Sequence, residues 1–383
     1  MIKVKNSYVE RLSCLLCILT FSFYLMPDIK IQFYQIILYP LSFYLIIKAI
    51  LSNVLIDTRK LIYYYFYFIV FMYIFIITVI HGNTINVIPG IKNWIDPILV
   101  IIIFNIVLDK NNEENFYQTL IFKIAKIVVF LLSLNTLWSI TTMFYDTTFI
   151  NGFFWGAELA SGSKATGMGR YSGVFIQPIE AGVVYSIGLL LFWYLLKKNN
   201  KLSLQNFVPF ILIISGGLLS VSKVFIFCGL PLFVILILFF LNSKKIIKIM
   251  FFVVGAFLIL SYIMSIYWNG YDYLLRFFDL KNNNSIIELL TAGRFNGRDS
   301  QQFNLIKNFS WSEMIFGRGF GADETYDSII FYFLSVGGII VLSLGFCYIM
   351  WLLLKAIKKI DFNKDLDVFF LFFTVLIVIS SLG

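Results

Sequence analysis

Residues 61–80 read LIYYYFYFIVFMYIFIITVI, twenty positions with no charge, no proline and no glycine. As a helix this block rises about 30 Å, the thickness of the hydrocarbon core of a bilayer. Its apolar residues run in one block rather than at amphipathic spacing, so it does not read as the surface helix of a soluble domain. The rest of the chain repeats the pattern. Of 383 residues, 60% are hydrophobic and only 13% are charged, more apolar surface than a soluble protein can hide. No alternating ten-residue pattern points to a membrane barrel. The chain therefore reads as an all-α polytopic membrane protein.

Working outward from 61–80, spans are expected at 9–26, 33–51, 91–108, 119–143, 172–196, 206–221, 224–241, 246–267, 328–354 and 366–383. With 61–80 these make about 11 helices, within a range of 10–12, forming a single transmembrane domain over 1–383. Lys3, Lys5 and Arg11 precede an apolar run to Met26 with no small-residue cleavage site after it, so an uncleaved first helix is expected. Asp96-Pro97 has the form of an N-cap followed by proline at the first helical position, which predicts a late start or a kink in the fourth helix. Cys14, Cys17, Cys228 and Cys347 all sit in apolar blocks and read as small core residues. The single histidine, His81, excludes a His-rich metal site.

Lysine sets the orientation. With the N-terminus in the cytoplasm, seventeen of the 23 lysines fall in cytoplasmic segments. Arginine does the opposite: Arg170, Arg276, Arg294, Arg298 and Arg318 fall outside, and only Arg11 and Arg59 inside. A guanidinium offers a planar fork of donors suited to phosphate or carboxylate, so the split suggests a polyanionic ligand on the outer face. Pairing with loop acids such as Asp272, Asp279 and Glu288 is the plainer alternative.

Two outer segments are long, 144–171 and 268–327. The second spans about 60 residues, too many for a connector, and is expected to fold as a small cap. Tyr271, Leu274, Leu275 and Phe278 recur at helical spacing, and Asp299 is placed to cap a helix carrying Phe303, Ile306 and Phe309. Gly317-Arg318-Gly319-Phe320-Gly321 reads either as a turn presenting Arg318 and backbone N–H groups to an anion or as a glycine-rich turn without a ligand. The span 206–221 is short, about 22 Å as a helix. The turn Ser220-Val221-Ser222-Lys223 is therefore expected below the outer surface, lining a polar cavity. Glu180, read as two turns inside its span, is either a functional intramembrane acid or the ion-pair partner of Arg170 or Lys223.

These motifs, in this order, resemble the bacterial O-antigen polymerase (Wzy) and O-antigen ligase superfamily over roughly the last 220 residues. The resemblance lies in Arg170-Tyr-Ser-Gly173-Val-Phe175 leading to Pro178 and Glu180, in the turn Ser222-Lys223, and in Ala292-Gly293-Arg294. It continues through Trp311, Phe316-Gly317-Arg318-Gly319, and Asp327-Ser328 ahead of Gly337-Gly338. The family has arginine where this chain has Lys223, and often asparagine where it has Ile179. Ligases carry histidine at the polar position occupied here by Asp327, which sets the chain closer to the polymerase branch.

The resemblance implies a GT-C-like, metal-independent glycosyltransferase of the cytoplasmic membrane, without a cofactor. A polyprenyl-diphosphate-linked glycan would be the donor and a lipid-linked repeat unit the acceptor. Arg294 and Arg318 would hold the diphosphate, supported by Arg170, Arg298 and Lys223. Asp327 would be the base, with Glu324 and Glu180 as alternatives. Membrane lipid, a chain-length regulator and a flippase are the implied partners; nucleic acid is not. Asp327 also fits the N-cap of the following helix. A ligase, a transporter or flippase of an anionic lipid, and a scaffold of envelope assembly are the rival readings.

Overall fold

The architecture comes from a computed structural model. It describes residues 6–19, 21, 24–26, 31–51, 58–81, 87–108, 114–156, 159–198, 204–241, 262, 265–268, 270, 271, 274, 307–321, 329–362 and 364–381. Within these the regular structure is helical apart from one small antiparallel hairpin, β1 (Tyr24–Met26) with β2 (Ile31–Gln32).

The helices are α1 (Asn6–Leu19), α2 (Phe33–Leu51), α3 (Thr58–His81), α4 (Val87–Leu108), α5 (Glu114–Phe144), α6 (Thr148–Trp155), α7 (Leu159–Gly167), α8 (Pro178–Lys198) and α9 (Leu204–Leu219). After a π-helical turn at Phe225–Gly229 come α10 (Leu230–Phe240), α11 (Trp311–Phe316), α12 (Ile329–Lys359) and α13 (Asp365–Ser381). Among the described residues, four stretches are long and apolar enough to cross a membrane: Tyr64–His81, Phe116–Phe144, Pro178–Lys198 and Ile330–Lys358. Hydrocarbon offers no partner to a backbone N–H or C=O, so only a segment that bonds internally is stable there. The outward faces carry large apolar side chains, with Ile69 64% and Ile80 74% exposed, a surface suited to lipid rather than water.

Three expectations change. The first helix stops at Leu19 instead of reaching residue 26, because Tyr24–Met26 pairs as a strand with Ile31–Gln32. The segment 144–171, expected only as a long outer loop, contains the two short helices α6 and α7. Asp96 does not start a helix: α4 begins at Val87 and carries Pro97 inside it. The span expected at 246–267 lies almost wholly outside the described residues, as do Leu275, Phe278, Asp299 and Phe303 of the large loop.

Packing centres on α8, whose Tyr185, Trp193 and Tyr194 are fully buried. It lies against α5, α9 and α13. Phe192 stacks on Phe210 at 5.0 Å. Since lipid is as apolar as these side chains, close van der Waals contact and polar cross-links hold such helices together. Asn135, Thr136 and Tyr185 supply the cross-links. Asn135 Nδ2 donates to Tyr185 Oη at 3.0 Å, and Thr136 Oγ1 donates to Leu212 O at 2.8 Å.

The bundle has two ends. At one, Lys197 and Lys198 meet Asp365 at 3.8 Å each, Lys197 reaches Phe240 O and Lys198 reaches Gln118. The C-termini of α8 and α10 and the N-termini of α5 and α13 therefore share that end. The opposite end gathers the termini of α5 and α9, the start of α8, and the segments 145–177 and 220–223.

Candidate functional site

The site is built at this second end, around the turn that follows α9. Ser220, Val221 and Ser222 are 0%, 0% and 1% exposed. Val221 has φ of +47°, a conformation that costs a β-branched residue on the order of 1–3 kcal/mol and that clusters at ligand sites. The turn is held by Ser220 Oγ on Gly217 O at 2.7 Å and by Val221 N on Leu218 O at 2.9 Å. Ser222 Oγ is buried without a hydrogen-bond partner. Gly182, one turn into α8, lies so close that any side chain there would collide with Ser222.

Residues 168–177 lie over this turn. Tyr171 N donates to Leu219 O at 2.9 Å, and the Arg170 guanidinium donates through Nη2 to Val221 O at 3.3 Å. Trp268 Nε1 clamps Gly169 O at 2.6 Å. Asn135 fixes the far side, taking Val174 N on Oδ1 at 2.8 Å and donating to Ser172 O at 3.2 Å. Arg170, the 220–222 turn and the first turns of α8 thus converge, although they come from three separate stretches of sequence.

Glu180 sits in that first turn, not two turns inside a span. Its helix begins at Pro178, and the residue is exposed, with Oε2 accepting from Gln177 N at 3.4 Å. This is the return arm of a capping arrangement, favourable beside the positive end of a helix. Of the expected site residues, Arg170 reaches the turn directly, Lys223 follows that turn in sequence, and Glu180 lies two residues before Gly182, which packs on it.

Arg318 stands in a second place with a different character. α12 breaks at Gly338, whose φ of +65° and ψ of −165° leave the helical region. A break there frees the Ser335 and Val336 carbonyls, and the loop fills them: Arg318 N donates to Ser335 O at 2.7 Å and Gly319 N to Val336 O at 3.0 Å. Phe320 N donates to Thr78 Oγ1 at 2.7 Å, and its ring is fully buried against Phe71 and Trp94. The anion-cradle reading of this glycine loop is thereby corrected: its N–H groups are spent on protein acceptors.

The Arg318 side chain is held as well. Nε pairs with Glu313 Oε1 at 3.0 Å, Nη2 donates to Asn308 O at 3.2 Å, and the guanidinium lies 4.2 Å from the Phe309 ring centre. Glu313 also closes a capping box with Ser310 at the start of α11. The Ser310 backbone N–H first, and Arg318 after it, hold the Glu313 carboxyl below its ordinary pKa. An anion at Arg318 would share or displace these partners. Arg294, Arg298, Glu324 and Asp327 lie outside the described residues.

One buried acid was read differently in the sequence. Asp96, 9% exposed, accepts Tyr34 Oη at 2.5 Å and Gln35 Nε2 at 2.7 Å on Oδ2, and Tyr39 Oη at 2.7 Å on Oδ1. These donors pin α2 to α4. The signal was present: an aspartate inside an apolar run needs donors from a neighbouring helix. The adjoining proline disguised it as a helix start. The chain matches no family model, no curated protein and no solved structure.

Proposed function

We propose that the chain is a repeat-unit polymerase of a bacterial surface polysaccharide, an 11-span, GT-C-like glycosyltransferase of the cytoplasmic membrane. Its N-terminus would be cytoplasmic and its cationic end would face outward. The observation that carries this reading is the meeting of Arg170 and the first turns of α8 on a buried, strained turn that Lys223 directly follows in sequence. Cations and a helix N-terminus at a water-poor site favour a group that gains negative charge as a bond breaks.

In the proposed reaction, a hydroxyl of the lipid-linked acceptor sugar attacks the anomeric carbon of the donor glycan. The new carbon–oxygen bond forms as the bond to polyprenyl diphosphate breaks. The diphosphate leaves with its electron pair, and a carboxylate takes the hydroxyl proton. Arg170 and Lys223 would stabilise the leaving group together with Arg294, Arg298 and Arg318. Asp327 is the first candidate for the base, with Glu324 and Glu180 behind it. Glu180 is poised differently from a buried acid, since it is exposed and engaged with the Gln177 N–H.

Mass spectrometry of polyprenyl-linked glycans in a strain lacking the gene tests the reading. Accumulation of single repeat units with loss of long glycan is expected. Accumulation of long lipid-linked polymer would instead indicate a ligase. An unchanged glycan profile, with labelled lipid moved across liposomes by the pure protein, would indicate a transporter.

A further inference from the structure

Beside the cationic turn, between the end of α5 and the helices α6 and α7, lies a cavity of about 190 Å³. That is room for about six waters at ~30 Å³ each, the scale of one small ring rather than a lipid chain. Its lining is distinctive in kind. Tyr145 supplies an exposed aromatic ring, Trp155 lines the wall but is only 3% exposed, and Asp146, Thr148, Asn151 and Ser163 supply polar groups. No aliphatic side chain and no lysine or arginine lines it among the described residues. The absence of positive charge argues against a phosphate, and the polar rim against an acyl chain.

The rim is held in place before any ligand arrives. Asn151, 2% exposed, accepts from Trp138 Nε1 at 2.9 Å and donates to Thr147 Oγ1 at 3.0 Å. Asp146 Oδ1 accepts both Thr148 N at 2.9 Å and Thr148 Oγ1 at 2.6 Å. Those two bonds hold the Asp146 carboxyl below its ordinary pKa, so at neutral pH it only accepts. Oδ2 takes no partner among the described residues. Trp155 Nε1 donates to Gly173 O at 3.2 Å. The cavity thus shares a wall with the segment that lays Arg170 over Val221.

A pyranose ring has the matching surface. Its rim of hydroxyls donates and accepts hydrogen bonds, and its C–H faces are apolar and suit the flat face of an aromatic ring. We propose that this cavity is a saccharide subsite for one neutral pyranose unit, with Tyr145 meeting a ring face and Asp146, Thr148 and Ser163 meeting the hydroxyls. The choice of a sugar over another small polyol rests on the glycan-handling reading above. The adjacency to Arg170 places the ring next to the charged end of a lipid-linked sugar.

The test is saturation-transfer NMR on the full-length protein in lipid nanodiscs. The probes are glucose, galactose, mannose, N-acetylglucosamine and N-acetylgalactosamine. At least one is expected to receive saturation, and Asp146→Ala and Tyr145→Ala are expected to reduce its affinity at least about fivefold, the loss of roughly one net contact. The Tyr145 side chain is exposed, so Tyr145→Ala is expected to unfold at the wild-type temperature, whereas Asp146→Ala also loses its two bonds to Thr148 and is read beside it. Saturation of none of the five sugars, or saturation unchanged in both variants, overturns the proposal. The deletion-strain glycan profile is read separately. Single repeat units in that strain without sugar binding sink the subsite alone. Sugar binding with an unchanged profile sinks the polymerase reading alone.

Discussion

Replacing Asn135 by alanine removes a side chain of α5 that ties the segment carrying Arg170 to the bundle. Three bonds go with it: Nδ2 to Ser172 O at 3.2 Å, Nδ2 to Tyr185 Oη at 3.0 Å, and Val174 N to Oδ1 at 2.8 Å. Each contributes about 1 kcal/mol net, for about 3 kcal/mol in all. The site admits little water to compensate, since Asn135 is 4% and Ser172 3% exposed. Thr141→Ala on the same helix is the control. Its hydroxyl only returns to Leu137 O of its own helix, so a change within ±0.5 kcal/mol is expected. Reversible unfolding in mixed detergent–SDS micelles reads both variants. Because the loss falls on residues 172–174, glycan polymer length in cells should also shorten in Asn135→Ala and not in Thr141→Ala. A destabilisation below about 1 kcal/mol would mean that these bonds merely replace equivalent ones in the unfolded state. Wild-type polymer length in a destabilised variant would mean that this segment does not position the site.

Asp96→Ala leaves the Tyr34, Gln35 and Tyr39 donors without their acceptor; a loss of about 3 kcal/mol in the same unfolding assay is expected, and an unchanged midpoint would refute the α2–α4 pin. Gly338→Ala places a side chain against the Ile315 carbonyl at a positive φ. It should cost about 2 kcal/mol or more and raise hydrogen exchange at Arg318 and Gly319; unaltered exchange would sink the docking argument. Glu313 has a folded pKa below its ordinary 4.5, so its contribution is full above that value and is lost as pH falls through the folded one. Glu313→Ala should therefore loosen the Arg318 loop at neutral pH and match wild type in acid, read by hydrogen exchange across a pH series; a difference that persists in acid would refute the assignment. Arg170→Lys keeps the charge but loses the fork, so a shorter polymer is expected, and full length would leave only charge as its role.

The helices at 33–51 and 61–80 were legible because hydrocarbon leaves an apolar segment one way to satisfy its backbone, and length and composition report it directly. The short span marked Ser220–Lys223 as a place to look, and Ser220–Ser222 are buried in the protein there. Helix ends were less legible. Nothing local in Phe21–Gln32 announces a hairpin, and Asp96-Pro97 copies the signature of a cap while serving as a cross-link between helices. The sequence by itself determined that the chain is a bundle of apolar helices and that arginine and glycine gather in a few segments between them. Only the tertiary structure decided which of these groups share a site. Arg170 meets Val221, the 318–320 N–H groups close a break in α12, and Tyr145, Asp146 and Trp155 line one cavity. Hydrogen bonds and close contacts between distant segments have no period in the sequence, since they depend on which helices pack together and at what depth each chain turn stops.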